Sequence, residues 1–383
     1  MTRTVNLPDG PLTLSGAGRE HVTPGARFTS RVAYAAAHVV ADPRAENVPG
    51  TPAAVDWDAT LAFRRHLWSY GFGVAEAMDT AQRGMGMDFP AARELVRRSA
   101  AAARAEGGTI CAGVATDQLP AGPATLDEIR KAYAEQLADV QDAGARPVLM
   151  CSRHLAAAAR SADDYLDVYG RLLADADGPV VLHWLGPAFD PALAGYWGDA
   201  DPARAADTVV ALIGAHTGKV DGVKLSLLDE DFEVALRRRL PAGVRLYTGD
   251  DFNYPALIRG DGEGHSDALL GVLAAIAPPA AAALRVLDTG DLATYDRILA
   301  ATLPLARHLF GAPTFYYKTG IVFLAWLAGH QDHFTMVGGL QSGRSPVHLG
   351  RLLRLADEAG LLPDAELAAH RARAFMTTAG VAQ

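Results

Sequence analysis

From Arg31 onward the sequence repeats one rhythm: a short run of apolar residues, a polar loop, then an amphipathic stretch of helical period. The runs cover residues 32–40, 72–78, 109–114, 147–151, 179–184, 220–225 and 244–248, with a weaker eighth at 264–270. Most are apolar nearly throughout, without polar alternation. Strands buried on both faces read this way, which means a parallel sheet covered by helices. The intervening stretches 58–70, 88–106, 126–143, 162–176, 203–216 and 229–240 predict helices. Asp88-Phe89-Pro90 gives one of them a cap and a first-turn proline, and Gly144 gives another its stop.

Eight strands alternating with helices predict a (β/α)8 barrel. The rival is a doubly wound sheet, but no Gly-x-Gly-x-x-Gly follows the first run, so its dinucleotide-binding form lacks a signature. The expected organisation is an irregular N-terminal arm over residues 1–30, the barrel over 31–290, and a C-terminal helical extension packed on the barrel over 291–383. Within that extension, 317–328 reads as a buried or interface helix, and Phe315, Tyr316 and Tyr317 as core or subunit contacts.

Composition narrows the function classes. The formal net charge of -9 argues against a basic nucleic-acid-binding face. Cys111 and Cys151 are the chain's two cysteines, too few for a disulfide framework. The first residues contain no apolar signal core, and the apolar run 321–327 falls far short of the ~20 residues of a membrane span. The expectation is a soluble cytoplasmic protein with no nucleic-acid or membrane partner, acting on a small molecule.

In a barrel of this kind the chemistry sits at the C-terminal ends of the strands. Polar residues gather there: Glu76, Asp79, Thr80, Gln82 and Arg83 after the second run, Arg153 and His154 after the fourth, His183 at the end of the fifth, Asp250 and Asp251 after the seventh. Lys224 lies inside the sixth. Burial there disfavours the ammonium and lowers its pKa, and a neutral amine can attack a carbonyl to form a Schiff base. Pairing with a carboxylate such as Asp250, or holding a substrate anion, is the structural alternative. His183 titrates near neutrality and suits proton transfer. Asp79 could act as a base, or simply pair with Arg83.

Several segments carry a family resemblance. VDGVKLSLLD is similar to the strand bearing the Schiff-base lysine of the dihydrodipicolinate synthase and N-acetylneuraminate lyase superfamily. RLYTGDDF resembles its next strand, GDGEGHSDALLGV its last, and AVDWDATLAFRRHLWSYG its first helix. The likeness covers roughly residues 30–276. Through FYYKTGIVFLAWLAGHQ the tail resembles an uncharacterised bacterial group described only as dihydrodipicolinate-synthase-like. The resemblance implies a class I lyase or aldolase acting on a keto acid or sugar-derived carbonyl compound, without a cofactor. Lys224 would form the imine, His183 and Asp79 would move protons, and Thr80, Gln82, Arg83, Arg153, His154, Asp250 and Asp251 would bind substrate. It also implies a homo-oligomer, a dimer or larger. The sequence departs from the family pattern where the Gly-Thr-Thr-Gly-Glu loop becomes Met78-Asp79-Thr80-Ala81-Gln82. The family tyrosine after the fifth strand falls on His183, and the pair after the fourth falls near Arg153 and His154. The usual tyrosine relay is absent, which argues against dihydrodipicolinate synthesis itself.

The alternative is a divalent-metal-dependent sugar isomerase, epimerase or lyase, with ligands drawn from Glu76, Asp79, His154, His183, Asp250, Asp251 and His265. No His-Glu-x-x-His motif supports it.

Overall fold

In the computed structural model, residues 3–16, 24–25 and 27–383 are described. The first of these form an antiparallel hairpin, β1 (Thr4–Leu7) and β2 (Gly10–Thr13). This corrects the irregular arm expected for residues 1–30; residues 1–2, 17–23 and 26 of that arm lie outside the described residues. The hairpin is specified by partners far along the chain. Arg373 donates to the Thr4 carbonyl at 2.9 Å, and the Asn6 amide pairs with Gln383 at 3.0 Å.

Eight parallel strands then close into a barrel: β3 (Ala33–Ala36), β4 (Gly73–Glu76), β5 (Ile110–Val114), β6 (Arg146–Leu149), β7 (Val180–Leu185), β8 (Val220–Ser226), β9 (Arg245–Thr248) and β10 (Asp267–Leu270). β10 pairs with both β9 and β3, so the barrel itself has no open strand edge. With its surrounding helices this is the (β/α)8 barrel that the apolar rhythm predicts. All six predicted helices form, with ends within two residues of those read from sequence. Their termini use local chemistry: Asp88 caps Phe89–Glu106 through the Ala91 amide, and Thr125 and Glu128 form a reciprocal capping box on Leu126–Asp142.

Inside the barrel, Tyr34, Cys111, Val148, Val181, Tyr247 and Leu269 belong to one apolar cluster. Tyr34 and Tyr247 meet edge to face at 6.2 Å, and the Tyr247 hydroxyl donates to Asp221 at 2.5 Å. Beyond β10 come the helices Leu292–Ala300, Leu303–Leu309, Tyr317–Leu327, Pro346–Glu358 and Ala365–Thr378. Tyr317–Leu327 is buried along nearly its whole length.

Three histidines sit where this extension meets the barrel. His38 follows β3 and meets Gln331 at 2.9 Å. His66, on the helix Trp57–Ser69, packs at a tilt against His330, 4.2 Å between ring centres. Burial lowers His38, with help from the Arg64 charge, to about 3, His66 to about 3 and His330 to about 4. The fold therefore keeps all three neutral, whereas the unfolded chain protonates them below about pH 6.5. Stability should fall as pH drops from about 6.5 toward 5, by up to ~1.4 kcal/mol per pH unit for each histidine. Urea unfolding at half-unit pH steps checks this; a flat profile across that window would contradict it.

Candidate active site

β8 carries Lys224 toward the C-terminal mouth of the barrel, and the strand register sets His183 of β7 beside it. Lys224 is buried, and among the described residues nothing forms a hydrogen bond or ion pair with its amine. Desolvation lowers its pKa, against the pull of the Asp251 and Asp79 charges. Asp251 is also buried. Loss of water pushes its carboxyl up to about 8, although it accepts a hydrogen bond from the Val272 amide at 2.8 Å. Burial thus drives the pair toward sharing one proton in a neutral state. Gly249 leaves room for the Ser226 and Lys224 side chains of β8, since a Cβ there would stand 2.1 Å from Ser226 Oγ and 3.1 Å from Lys224 Cε.

His183 is fully buried. Its Nε2 lies 3.4 Å from Ser226 Oγ, and its Nδ1 has no partner among the described residues. Burial, with the Lys224 charge beside it, drives its pKa well below the ordinary histidine value. The ring is therefore neutral near pH 7, not poised to titrate there as its position in the sequence suggests.

After β4 the chain turns through Ala77 (φ 49), the short 3-10 turn Asp79–Ala81 and Gln82 (φ 64). Two non-glycine residues in left-handed conformations bracket this turn, a local strain that needs support. Gln82 supplies it, donating to the Met85 and Val337 carbonyls at 3.0 and 2.8 Å. The turn presents Asp79 and Thr80 to the helix Tyr317–Leu327. Tyr317 and Thr80 hydroxyls meet at 2.6 Å, and the Lys318 amine binds Asp79 at 2.9 Å. Tyr317 stacks on Phe310 at 4.3 Å and meets Phe189 edge-on at 6.2 Å. Burial and the Asp79 charge raise its phenol well above the usual tyrosine value, so it stays protonated. Lys224, Asp79, Thr80, His183, Asp251 and Tyr317 converge on one inner cavity of about 10 Å³.

The remaining candidates sit elsewhere. Arg83 is locked to Asp117 at 2.7 Å and to the Gly113 carbonyl at 2.7 Å. The Asp79–Arg83 pairing considered from sequence does not form. Asp250 is used within its own turn, accepting from the Phe252 and Asn253 amides at 2.8 and 3.1 Å, rather than pairing with Lys224. Arg153 pairs with Asp190 at 2.6 Å, and His154 hydrogen-bonds Thr116 at 3.0 Å. Arg83, Arg153 and His154 line an outer cavity of about 670 Å³ that shares Asp79, Leu185 and Phe189 with the inner one; Gln82 and Asp250 line neither.

The metal alternative finds no ligand set. Glu76 is consumed by a buried bidentate pair with Arg64, at 2.7 and 2.8 Å. Asp79, His154 and Asp250 hold the partners just given. Among the described residues no three His, Cys, Asp or Glu side chains gather to hold an ion. Sequence reading missed Tyr317 and Lys318. In sequence they begin an apolar helix that looks like core, and the one signal was a lysine and a tyrosine heading that apolar stretch.

Residues 11–381 match the model of a family described as proteins of unknown function, DUF993. No curated protein matches the sequence. Among solved structures, a dihydrodipicolinate synthase from Aquifex aeolicus superposes with a TM-score of 0.66 at 13% identity, covering 87% of this chain and 99% of that one. A prophage protein of the dihydrodipicolinic acid synthase family from E. coli K12, solved in complex with pyruvate, gives 0.68 at 13% identity, covering 86% and 99%. A putative dihydrodipicolinate synthetase from Pseudomonas aeruginosa gives 0.63 at 14%, covering 86% and 99%. At these identities the likeness establishes the fold.

The Lys318–Asp79 pair ties extension to barrel, and Lys318 is wholly buried. Lys318→Met should strand the Asp79 carboxylate and cost about 3 kcal/mol in urea unfolding, the lower end for a broken buried pair because Asp79 keeps some exposure. Adding Asp79→Asn should recover part of that loss, since the two substitutions couple. Strictly additive losses would count against the pairing.

Proposed function

This chain belongs to the DUF993 family, and we propose that it is a Schiff-base lyase or aldolase in which Lys224 attacks a small carbonyl substrate. The observation that carries this reading is the Lys224 amine: buried at the barrel mouth, unpaired among the described residues, and depressed in pKa by desolvation. Buried lysines are ordinarily paired, because an isolated ammonium in an apolar interior is costly. A lysine whose ammonium form is disfavoured by burial and which lines a cavity fits the role of nucleophile. The similar fold of a dihydrodipicolinate synthase, and of a dihydrodipicolinic acid synthase family protein solved with pyruvate, supports the reading.

In this mechanism neutral Nζ adds to the carbonyl carbon. The carbonyl oxygen takes protons and leaves as water, and a protonated imine remains. Asp251, held protonated by burial, delivers a proton to that departing oxygen. The bond between the α and β carbons of the substrate then breaks: its electron pair becomes the carbon–carbon double bond of an enamine, and the imine π pair moves to nitrogen. The proton of the departing fragment's hydroxyl travels through the linked hydroxyls of Thr80 and Tyr317 to the enamine carbon, and Asp251 regains its own proton when water hydrolyses the imine. Protonation of the enamine carbon and attack by water on the renewed imine release product and restore the amine. His183, neutral and beside Lys224, acts as a hydrogen-bonding wall; the proton transfer expected of it passes to Tyr317.

Lys224→Ala should abolish both turnover and the mass adduct left by borohydride reduction with a carbonyl substrate. Retained turnover would remove the imine mechanism. Tyr317→Phe should lower turnover by ~10²–10⁴-fold, the usual contribution of a positioned proton donor, while the adduct on Lys224 still forms. Loss of adduct and turnover together in a folded Tyr317→Phe protein would instead assign the phenol to imine formation.

A further inference from the structure

The two adjoining cavities differ greatly in size, and the difference bears on the substrate. About 10 Å³ remains at the Lys224 amine, room for roughly a single small group. The outer cavity offers about 670 Å³, within the ~300–1,000 Å³ typical of sites that enclose a whole small-molecule ligand. Asp79, Leu185 and Phe189 line both, so the two cavities adjoin.

The outer walls are apolar: Met85, Leu119, Met150, Phe189, Leu193 and Phe315. Most of its polar side chains hold one another, while Arg153 stays exposed and Asp79 Oδ2 has no partner among the described residues. Arg83 holds Asp117, Arg153 holds Asp190, and Thr116 holds both Ser152, at 2.6 Å, and His154. A polyhydroxylated body placed there would meet few free partners and would lose its own hydration, a loss of order kilocalories for each buried hydroxyl left unpaired. At the inner end, Asp79 and Asp251 flank the amine, the Thr80 hydroxyl is taken by Tyr317, and Arg83 is turned to Asp117. The cation beside Asp79, Lys318, is bound to that carboxylate. A carboxylate next to the reacting carbonyl would find neither space nor a free counter-charge.

We propose that the outer cavity is the subsite for an alkyl or aryl substrate body, and that the substrate is a ketone or aldehyde with no carboxylate on the reacting carbonyl carbon. The proposal rests on the imine reading above. It departs from keto-acid recognition, because the loop between β4 and the next helix offers a carboxylate, Asp79, and an engaged hydroxyl.

The test is borohydride trapping read by intact mass, with peptide mapping of Lys224. Four probes are titrated: pyruvate, dihydroxyacetone, 4-phenyl-2-butanone and octanal. Each forms an imine with release of water, and hydride addition to the imine carbon fixes it as a secondary amine. We expect the two apolar-bodied probes to label Lys224 at concentrations at least tenfold below the other two. Leu119→Glu, which brings a charge into the outer wall, should raise their half-labelling concentration about tenfold. Pyruvate or dihydroxyacetone labelling Lys224 as readily as the apolar probes would overturn this inference and leave the imine mechanism standing. Labelling by none of the four would overturn both.

Discussion

An ammonium without exposure to water must have its counter-charge close at hand. Lys318 has no exposed side-chain surface, and it finds that charge in Asp79, from a turn at the opposite end of the sequence. This one contact fixes how the C-terminal extension meets the barrel. With it the neighbouring Tyr317 is carried to Thr80, and the aromatic cluster of Phe189, Phe310 and Tyr317 closes over the mouth. Gly271 admits that cluster, since a Cβ there would stand 2.9 Å from the Tyr317 ring. The extension is thereby part of the candidate site and not only a cover for the helix ring.

The same accounting of buried charge sets Lys224 apart. Arg64 and Glu76 satisfy each other, as do Arg83 and Asp117, and Lys318 and Asp79. Each of these is structural: it anchors a loop end or a helix. Lys224 lacks such a partner among the described residues and faces a space instead. Its nearest acid, Asp251, is so poorly hydrated that it tends to hold its proton. A site in which both groups are driven toward neutrality favours nucleophilic addition over ion binding.

Much of this was legible beforehand. The eight apolar runs became eight strands, and the predicted helices lie between them. Lys224, Asp79, Thr80, His183 and Asp251 all reach one cavity, because residues at strand ends must point into a barrel mouth. Where the structure departs from the sequence reading, tertiary packing sets the side chain's surroundings. Arg83 is four residues from Asp79, yet the turn between them sends the arginine to Asp117 on the β5 side. Asp250 is next to Asp251, yet it caps its own turn. His183 lies in the right place, but its protonation depends on how completely β7 and β8 exclude water, which no local pattern records.

Sequence alone determined what local periodicity can encode: which stretches become strands and helices, that the sheet is parallel and covered, and which polar residues stand at its active end. Those properties depend on neighbours within a few positions, where side-chain spacing matches strand or helix geometry. The tertiary structure decided the rest. The Thr80–Tyr317 and Asp79–Lys318 contacts join residues 237 and 239 positions apart. They exist only because the closed barrel and the extension packed against it bring the two ends of the chain together. Burial, which sets the pKa of Lys224, Asp251 and His183, is likewise a property of that closure.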